Sequence, residues 1–586
     1  MNIFNILRKY QYSSQTAIIY KNIRISYKEL VIYSINLSEL IMNNFGKRKQ
    51  TIGIFLPNSS DYTIAFFAAA YSDKVIVPFN VNMKKLELQR IIKYLNINII
   101  ITNKLFYDRL SDITEKKISI ICLKNNYEAE IYNRCNADAN QLSDDNEELK
   151  DVAMILHTSG SMNFPKSVML THENIISCIK SIVMDLKITE KDVTLIFLPM
   201  YYISAIVSQF LTHLYVGAAV SFMETLFSPV NLFYCLEKFN ITNFSCVPYM
   251  LLELLNQKDK IKNYKISSLR YVCFGGAPAP GEKINELANI FPDIQFIKTY
   301  GLTEASTRVS HYFEDKNIIN NNCVGKQIPG VKYMIVDENG NECKAGEIGE
   351  IAVKGNNIMK GYYLRHTETE KALKNGWLHT GDLGRIDDKH NLYVVGRKKN
   401  IIIRGGENIY PEEIEDVLNN YPNIKESLVY GAYHETLGEV PQAEIVLNSY
   451  NNFNLQELVN YCYNNLSNFK IPLHFKVVDE IDKTSNGKLI RNLKRRINVE
   501  DNFNLENELK KLINENTYVL LTDKDFKEDS DLIVDFGYDS LSIIRLIADI
   551  ERKFNIEFEI SELVSEIISK YGNLKKSIAE KISAEV

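Results

Sequence analysis

The chain of 586 residues is poor in the features that mark several protein classes. It has a single tryptophan and 14 prolines. Its nine cysteines (122, 135, 178, 235, 246, 273, 323, 343 and 462) are odd in number and never stand as C-x-x-C. A disulfide framework and a thiolate zinc site are therefore unsupported, and a reducing cytoplasm is the expected compartment. Long apolar runs are missing too: none approaches the ~20 residues that cross a bilayer, and 54–77 is broken by Asn58, Asp61 and Asp73. Met1-Asn2-Ile3-Phe4-Asn5 opens no signal-peptide core, so neither secretion nor a membrane role is expected. Net positive charge is lacking, with 68 Lys and Arg against 73 Asp and Glu, so nucleic acid is not an expected partner. Internal repeats and low-complexity linkers are absent.

Apolar residues make up 45% and charged residues 24%, enough for large packed cores, and the length asks for several folding units. Apolar runs at Thr51–Leu56, Val75–Pro78, Ile97–Thr102, Met154–His157, Thr194–Leu198, Val220–Met223 and Tyr271–Phe274 alternate with helical patterns such as Tyr62–Ala70. That alternation predicts an α/β architecture with largely parallel sheets. Residues 136–150 read as a polar loop. The strand Leu392–Val395 runs into Gly396-Arg397-Lys398-Lys399-Asn400, after which the pattern restarts, and a smaller α+β unit follows. The polar stretch 494–504 reads as a linker. Leu505, Leu509, Leu512 and Ile513 then open a helical bundle. In that bundle Ser540 precedes Ile543, Ile547, Ile550 and Phe554, an apolar stripe at helical spacing. A serine heading an amphipathic helix sits where free N–H groups and the helix dipole favour an attached phosphate.

Thr158-Ser159-Gly160-Ser161-Met162-Asn163-Phe164-Pro165-Lys166 follows a strand and precedes a helix near residue 172. Small hydroxyl residues and a glycine let backbone N–H groups approach phosphate oxygens, and the lysine adds positive charge. The spacing is not that of a Walker loop. The run resembles the phosphate loop of the adenylate-forming superfamily, which includes acyl-CoA synthetases, luciferases and nonribosomal peptide synthetase adenylation domains. It departs from that pattern at Met162, Asn163 and Ser167, where a threonine and two glycines are usual. Gly275-Gly276-Ala277-Pro278, Tyr300-Gly301-Leu302-Thr303-Glu304, Trp377-Leu378-His379-Thr380-Gly381-Asp382, Gly396-Arg397 and Lys483-Thr484-Ser485-Asn486-Gly487-Lys488 resemble further motifs of the same superfamily, in its order. Each alone has an ordinary reading: Asp382 as a turn cap, Lys488 as a solvated lysine, Tyr300 as core.

The resemblance covers about residues 10–497, and residues 505–586 resemble an acyl or peptidyl carrier domain. It implies a large multi-sheet adenylation domain (1–396), a small mobile α+β domain (397–497), a linker (498–504) and a four-helix-bundle carrier (505–586). It implies ATP, Mg²⁺ and 4'-phosphopantetheine as cofactors. Thr158, Ser159, Gly160, Ser161 and Lys166 would hold phosphates, and Gly276, Ala277, Pro278 and Tyr300 adenine. Asp382 would bind ribose, helped by Arg397, and Glu304 the Mg²⁺. Thr303, Glu304 and Lys488 would be catalytic, Lys399 the hinge, Gly405-Gly406 the approach of the thiol, and Ser540 the site of the arm. Expected partners are a carboxylic acid, a phosphopantetheinyl transferase and a downstream synthase or tailoring enzyme.

Leu198-Pro199-Met200-Tyr201-Tyr202-Ile203-Ser204 resembles the pocket segment of acyl- and aryl-CoA ligases, with Tyr202 where those have His and amino-acid-activating members have Asp. Without a carboxylate there, a buried substrate ammonium would be costly, so an aliphatic or aromatic acid is expected. Tyr201, Tyr202, Gly275 and Thr299 are candidate pocket walls. Arg308 either recognises a polar group of the acid or pairs with structural carboxylates; the second is favoured, because buried charges are usually paired. Three activities stay open: loading of the chain's own carrier, a free-CoA ligase whose carrier serves another step, and a non-catalytic carrier and docking protein.

Overall fold

The computed structural model describes the chain except residues 1, 84, 114–117, 125–126, 133–146, 159–165, 224–226, 259–263, 278–280, 314–321, 405–406, 435–437, 450–452, 467–469, 473, 484–504, 518–520, 522–524, 539, 555, 557, 559–569 and 585–586. The first part is built on two large sheets. In one, Thr51–Ile54 lies in parallel between Val75–Pro78 and Ile99–Asn103. Every residue of the first two strands is buried. This is why they read as continuous apolar runs rather than alternating ones. The helix Ser60–Tyr71 is buried almost all round and starts where Ser59 Oγ accepts from the Tyr62 N–H at 3.2 Å, a side-chain cap.

The second sheet has a parallel core, Thr16–Tyr20, Ala219–Phe222, Val193–Ile196, Asn243–Cys246, Tyr271–Gly275 and Gln295–Tyr300 in spatial order. Beyond Tyr300 the pairing turns antiparallel, through Ser310–Phe313, Cys323–Gln327, Leu392–Arg397, Trp377–Ile386, Gly349–Gly355 and Val331–Val336. A crevice outside the carboxyl ends of parallel strands is where α/β sheets bind ligands, and here those ends carry Gly275 and Tyr300.

The α/β expectation holds, with one difference near the phosphate loop. A strand, Lys166–Thr171, intervenes before the helix His172–Leu186. It pairs antiparallel with Val152–Thr158, Lys166 facing Thr158. The segment 159–165 thus connects two paired strands.

A separate core formed by Ile402, Ile414, Leu418, Val429, Ile445 and Leu458 belongs to the small unit. There the helix Pro411–Asn419 packs against Ile424–His434, which pairs with Gly438–Leu447. A third core joins Leu509, Ile513, Ile543, Ile547, Ile550, Phe554 and Leu574 across the helices Leu505–Asn516, Ser540–Phe554 and Tyr571–Ala584. These are three helices of the expected four-helix bundle; 559–569 and the linker lie outside the described residues. Just ahead of Ser540, Tyr538 is fully buried and its hydroxyl donates to the Ile513 carbonyl at 2.6 Å. That contact fixes the approach to the serine helix.

Candidate active site

Two groups of side chains meet at the carboxyl end of Gln295–Tyr300. In the first, Asp382 and Arg397 stand opposite each other across Trp377–Ile386 and Leu392–Arg397, and Arg397 Nε donates to Asp382 Oδ1. Tyr300 Oη donates to Asp382 Oδ2 at 2.7 Å. Asp382 is only 4% exposed, so its charge is matched inside the protein, as a buried carboxylate requires. Burial, followed by the Asp382 charge, pushes the Tyr300 hydroxyl well above its ordinary pKa, so it stays a donor.

The second group surrounds Glu304. The strand end leads into a tight turn, Thr303–Ala305. Tyr362 Oη donates to Glu304 Oε1 at 2.9 Å, and Lys166 Nζ lies over the Tyr362 ring, 4.4 Å from its centre. Lys166, Tyr362 and Glu304 thus form a cation–ring–carboxylate chain. Tyr362 reaches it because Gly361–Tyr362 pairs with Val168–Met169.

The turn itself is clamped. Asn357 is 1% exposed; its Nδ2 donates to the Ala305 carbonyl at 2.9 Å and the Arg308 carbonyl at 3.0 Å. Ser306 Oγ donates to the Asn357 carbonyl at 2.7 Å. Between them Ser306 and Thr307 adopt φ of 52° and 99°. For a β-branched residue such as Thr307 that is a strained conformation. Gly301 permits the crossing: a Cβ there would meet the Thr307 carbonyl oxygen at 1.8 Å.

At the pocket segment, Asn58 holds the backbone by accepting from Met200 N at 2.8 Å and donating to the Leu198 carbonyl at 2.9 Å. The rings of Tyr201 and Tyr202 follow, 4.4 Å apart, and Ser204–Leu211 winds as a π-helix, a local widening found mostly at functional sites. Thr299 pairs with Gly275, where a Cβ would meet the Thr299 carbonyl oxygen at 2.3 Å. Only glycine allows the two strand ends so close. Gly276 and Ala277 follow, Gly276 with open space above it.

Arg308 corrects an expectation. It is 6% exposed, yet among the described residues no carboxylate pairs with it; its Nη1 donates to Thr299 Oγ1 at 2.7 Å, and its Nε has no partner among them. Burial is the largest influence on its pKa and lowers it, against Cys273, Cys178 and Tyr271 nearby.

The small unit touches the large one beside this site. Asn322 Nδ2 donates to Asp416 Oδ2. Burial, the largest influence, raises Asp416 from 3.8 to about 6, with Asn322 and Lys298 acting against it.

Of the residues marked by the resemblance, Tyr300, Asp382 and Arg397 make one contact group, and Lys166 is linked through Tyr362 to Glu304, which follows Thr303 in the turn. Lys399 lies in the short turn Lys398–Asn400, and Ser540 begins its helix. Ser159, Gly160, Ser161, Pro278, Gly405, Gly406 and Lys488 lie outside the described residues, and of Thr158 only the backbone is described. Sequence reasoning missed Asn58, Asn357 and Tyr362. Each acts across a long sequence separation, and neither Asn58 nor the segment 355–362 carries a spacing that sets it apart from an ordinary turn. Among the described residues no helix is long and apolar enough to cross a membrane, and no cluster of three His, Cys, Asp or Glu could hold a metal.

Comparison with known proteins agrees with this geometry. The 2-succinylbenzoate–CoA ligase of Bacillus subtilis (strain 168) is 35% identical over 341 residues, 58% of this chain and 68% of its own. The 4-coumarate:CoA ligase 1 of Petunia hybrida is 30% identical over 464 residues, 77% and 85% respectively. A solved structure of O-succinylbenzoate coenzyme A synthetase from Bacillus subtilis, in complex with ATP and magnesium ion, matches at a TM-score of 0.71 and 28% identity, covering 84% of this chain and 98% of that one. The family model of the AMP-binding enzymes matches residues 8–363, that of the AMP-binding enzyme C-terminal domain 413–488, and that of the phosphopantetheine attachment site 507–568. The first match alone spans well over half of the sequence, and the chain belongs to the AMP-binding enzyme family, with a carrier domain joined at its C-terminal end.

Proposed function

We propose that this protein adenylates a carboxylic acid with ATP and then loads the acyl group onto a phosphopantetheine arm on its own Ser540. The observation that carries the reading is the buried Asp382, held between Tyr300 and Arg397 beside the Lys166–Tyr362–Glu304 chain.

Asp382 presents a carboxylate, an acceptor suited to ribose hydroxyls, and the Tyr300 ring beside it is assigned to adenine. Lys166 supplies positive charge at the mouth of 158–165 for phosphate. Glu304 accepts from Tyr362 through one oxygen, and its other oxygen has no partner among the described residues, a hard oxygen ligand that fits Mg²⁺; the ion would neutralise charge on the phosphates. The acid's carboxylate oxygen bonds to the α-phosphorus, the bond to the pyrophosphate oxygen breaks, and pyrophosphate leaves. Lys488 is assigned to offset charge developing between the reacting groups. The small unit, 397–497 in this reading, then turns about Lys399 and removes Lys488. The arm supplies the accepting thiol. A carrier joined through 498–504 gains from high effective concentration, so little intrinsic affinity is needed.

Among the described residues the eight cysteines form no disulfide, which supports a cytoplasmic setting. A downstream enzyme would take the acyl group from the carrier. One finding favours a second reading: both relatives named above are CoA ligases, so free CoA is the rival acceptor. Intact-mass spectrometry of the phosphopantetheinylated protein, given Mg·ATP and an acid library, separates the two. An acyl mass gain that vanishes in Ser540→Ala supports self-loading. Acyl-CoA formation with no protein-bound acyl group refutes it.

A further inference from the structure

Arg308 is the outstanding charge in this part of the molecule. Taking a guanidinium out of water is costly unless a carboxylate and further hydrogen bonds compensate. Among the described residues the one hydrogen bond of its guanidinium goes to the Thr299 hydroxyl, whose own proton is directed at the Phe274 carbonyl, 3.2 Å away. The neighbours that influence its charge are Cys178, Cys273 and Tyr271, groups that are neutral at ordinary pH. The residue as a whole is 6% exposed.

The chain also strains itself to hold Arg308 there. The residues immediately before it take positive φ, and Asn357 ties the Arg308 carbonyl into the buried clamp. The Sγ of Cys178 adds a contact to the Ser306 carbonyl at 3.1 Å. Backbone strain of this kind persists where the surroundings over-determine it and gathers at ligand clamps. Its hydrogen bond to Thr299 puts the guanidinium beside the carboxyl ends of the paired strands Tyr271–Gly275 and Gln295–Tyr300, and Arg308 is four residues along the chain from Glu304.

We propose that Arg308 is a specificity-determining residue and that the acid this enzyme activates carries a second carboxylate, which supplies the missing counter-charge. This rests on the adenylating function proposed above. The reacting carboxylate is a poor occupant, because an oxygen clamped by a guanidinium is a weaker nucleophile and the reaction needs it directed at the α-phosphate near Glu304. A second carboxylate elsewhere on the acid meets neither objection. It also gives substrate choice a physical basis: an acid lacking it leaves a buried charge unpaired, the strongest form of discrimination a pocket has. Arg308 touches the substrate in this scheme without taking part in bond making.

The test pairs Arg308→Met, close in length and uncharged, with Arg308→Lys. ATP–pyrophosphate exchange is measured for full-length protein with malonate through sebacate, with phthalate and isophthalate, and with the monomethyl ester of each. Wild type should favour a free diacid over its ester by roughly 10⁴-fold or more in kcat/KM, the scale of discrimination expected when a buried polar group is left unpaired. Arg308→Met should erase or invert that preference while still exchanging with the ester, and Arg308→Lys should keep part of it. Melting temperature gives an independent arm. Removing an uncompensated charge, Arg308→Met should melt no lower than wild type, and the preferred diacid should raise the melting temperature of wild type only. Equal activity on diacids and esters in wild type would overturn the proposal. So would a large drop in the melting temperature of Arg308→Met, which would make the arginine structural. No exchange with any acid in wild type would count against the adenylating function itself; the melting arm still decides the standing of Arg308.

Discussion

Replacing Asn357 with alanine probes the clamp on which the Glu304 turn depends. The substitution removes one amide that serves two buried carbonyls, Ala305 at 2.9 Å and Arg308 at 3.0 Å. A buried acceptor left without its donor costs ~1–3 kcal/mol, so two together cost ~2–6 kcal/mol. Relaxation of Ser306 and Thr307 out of positive φ gives some of this back, on the order of 1–3 kcal/mol for each strained residue, but only if the turn abandons its shape. Stability and activity are therefore coupled. Either the turn holds and the large domain loses several kcal/mol, or it relaxes, the loss is small, and Glu304 and Arg308 leave their positions. Urea unfolding followed by far-UV circular dichroism, read on the transition of the large domain, is to be combined with ATP–pyrophosphate exchange. The expected result is a loss of at least ~2 kcal/mol, or a smaller loss accompanied by at least a tenfold fall in exchange. An Asn357→Ala protein within ~0.5 kcal/mol of wild type and fully active would refute the clamp.

Other outcomes follow from the same geometry. Tyr362→Phe keeps the ring beneath Lys166 and loses only the hydroxyl bond to Glu304; a charge-assisted bond of ~1.5–3 kcal/mol predicts a fall in exchange of roughly ten- to a hundredfold, and unchanged kinetics would remove Tyr362 from the site. Lys488→Ala should suppress adenylation far more than transfer from preformed acyl-adenylate, and equal loss of both steps would show that its role is misassigned. Asp416 titrates at the contact between the units, where burial has raised it from 3.8 to about 6. A carboxyl raised by docking favours docking while protonated, so its contribution is complete below about pH 4 and lost as pH rises through about 6. Those two pKa units amount to ~3 kcal/mol at most. Small-angle scattering across that window should show the units separating as pH rises in wild type and a flatter response in Asp416→Asn; identical profiles would count against the contact.

Much of this protein was legible in its sequence because it depends on short-range chemistry. Buried parallel strands such as Thr51–Ile54 announce themselves as unbroken apolar runs. The turn at Gly301 needs a residue without side-chain bulk and Gly381 one that accepts a positive φ, and the groups suited to nucleotide, Tyr300, Glu304, Asp382 and Arg397, stand in compact runs. Ser540 could be read from the apolar stripe that follows it. Two of the buried clusters, within residues 402–471 and 509–578, are each assembled from residues of one stretch of chain.

Only the tertiary structure decided which of these groups meet. Asp382 faces Arg397 because the register of two strands sets them opposite each other. Tyr362 reaches Glu304 because a two-residue strand pairs with Val168–Met169, and Asn357 reaches Ala305 and Arg308 across about fifty residues of sequence. None of these partners is near in sequence, so no local pattern carries the information. Arg308 shows the limit most clearly. Its charge was visible in the sequence and suggested a structural ion pair, but whether a carboxylate stands within reach depends on how distant strands pack. They pack around it without one, and a buried charge acquires its meaning from its surroundings.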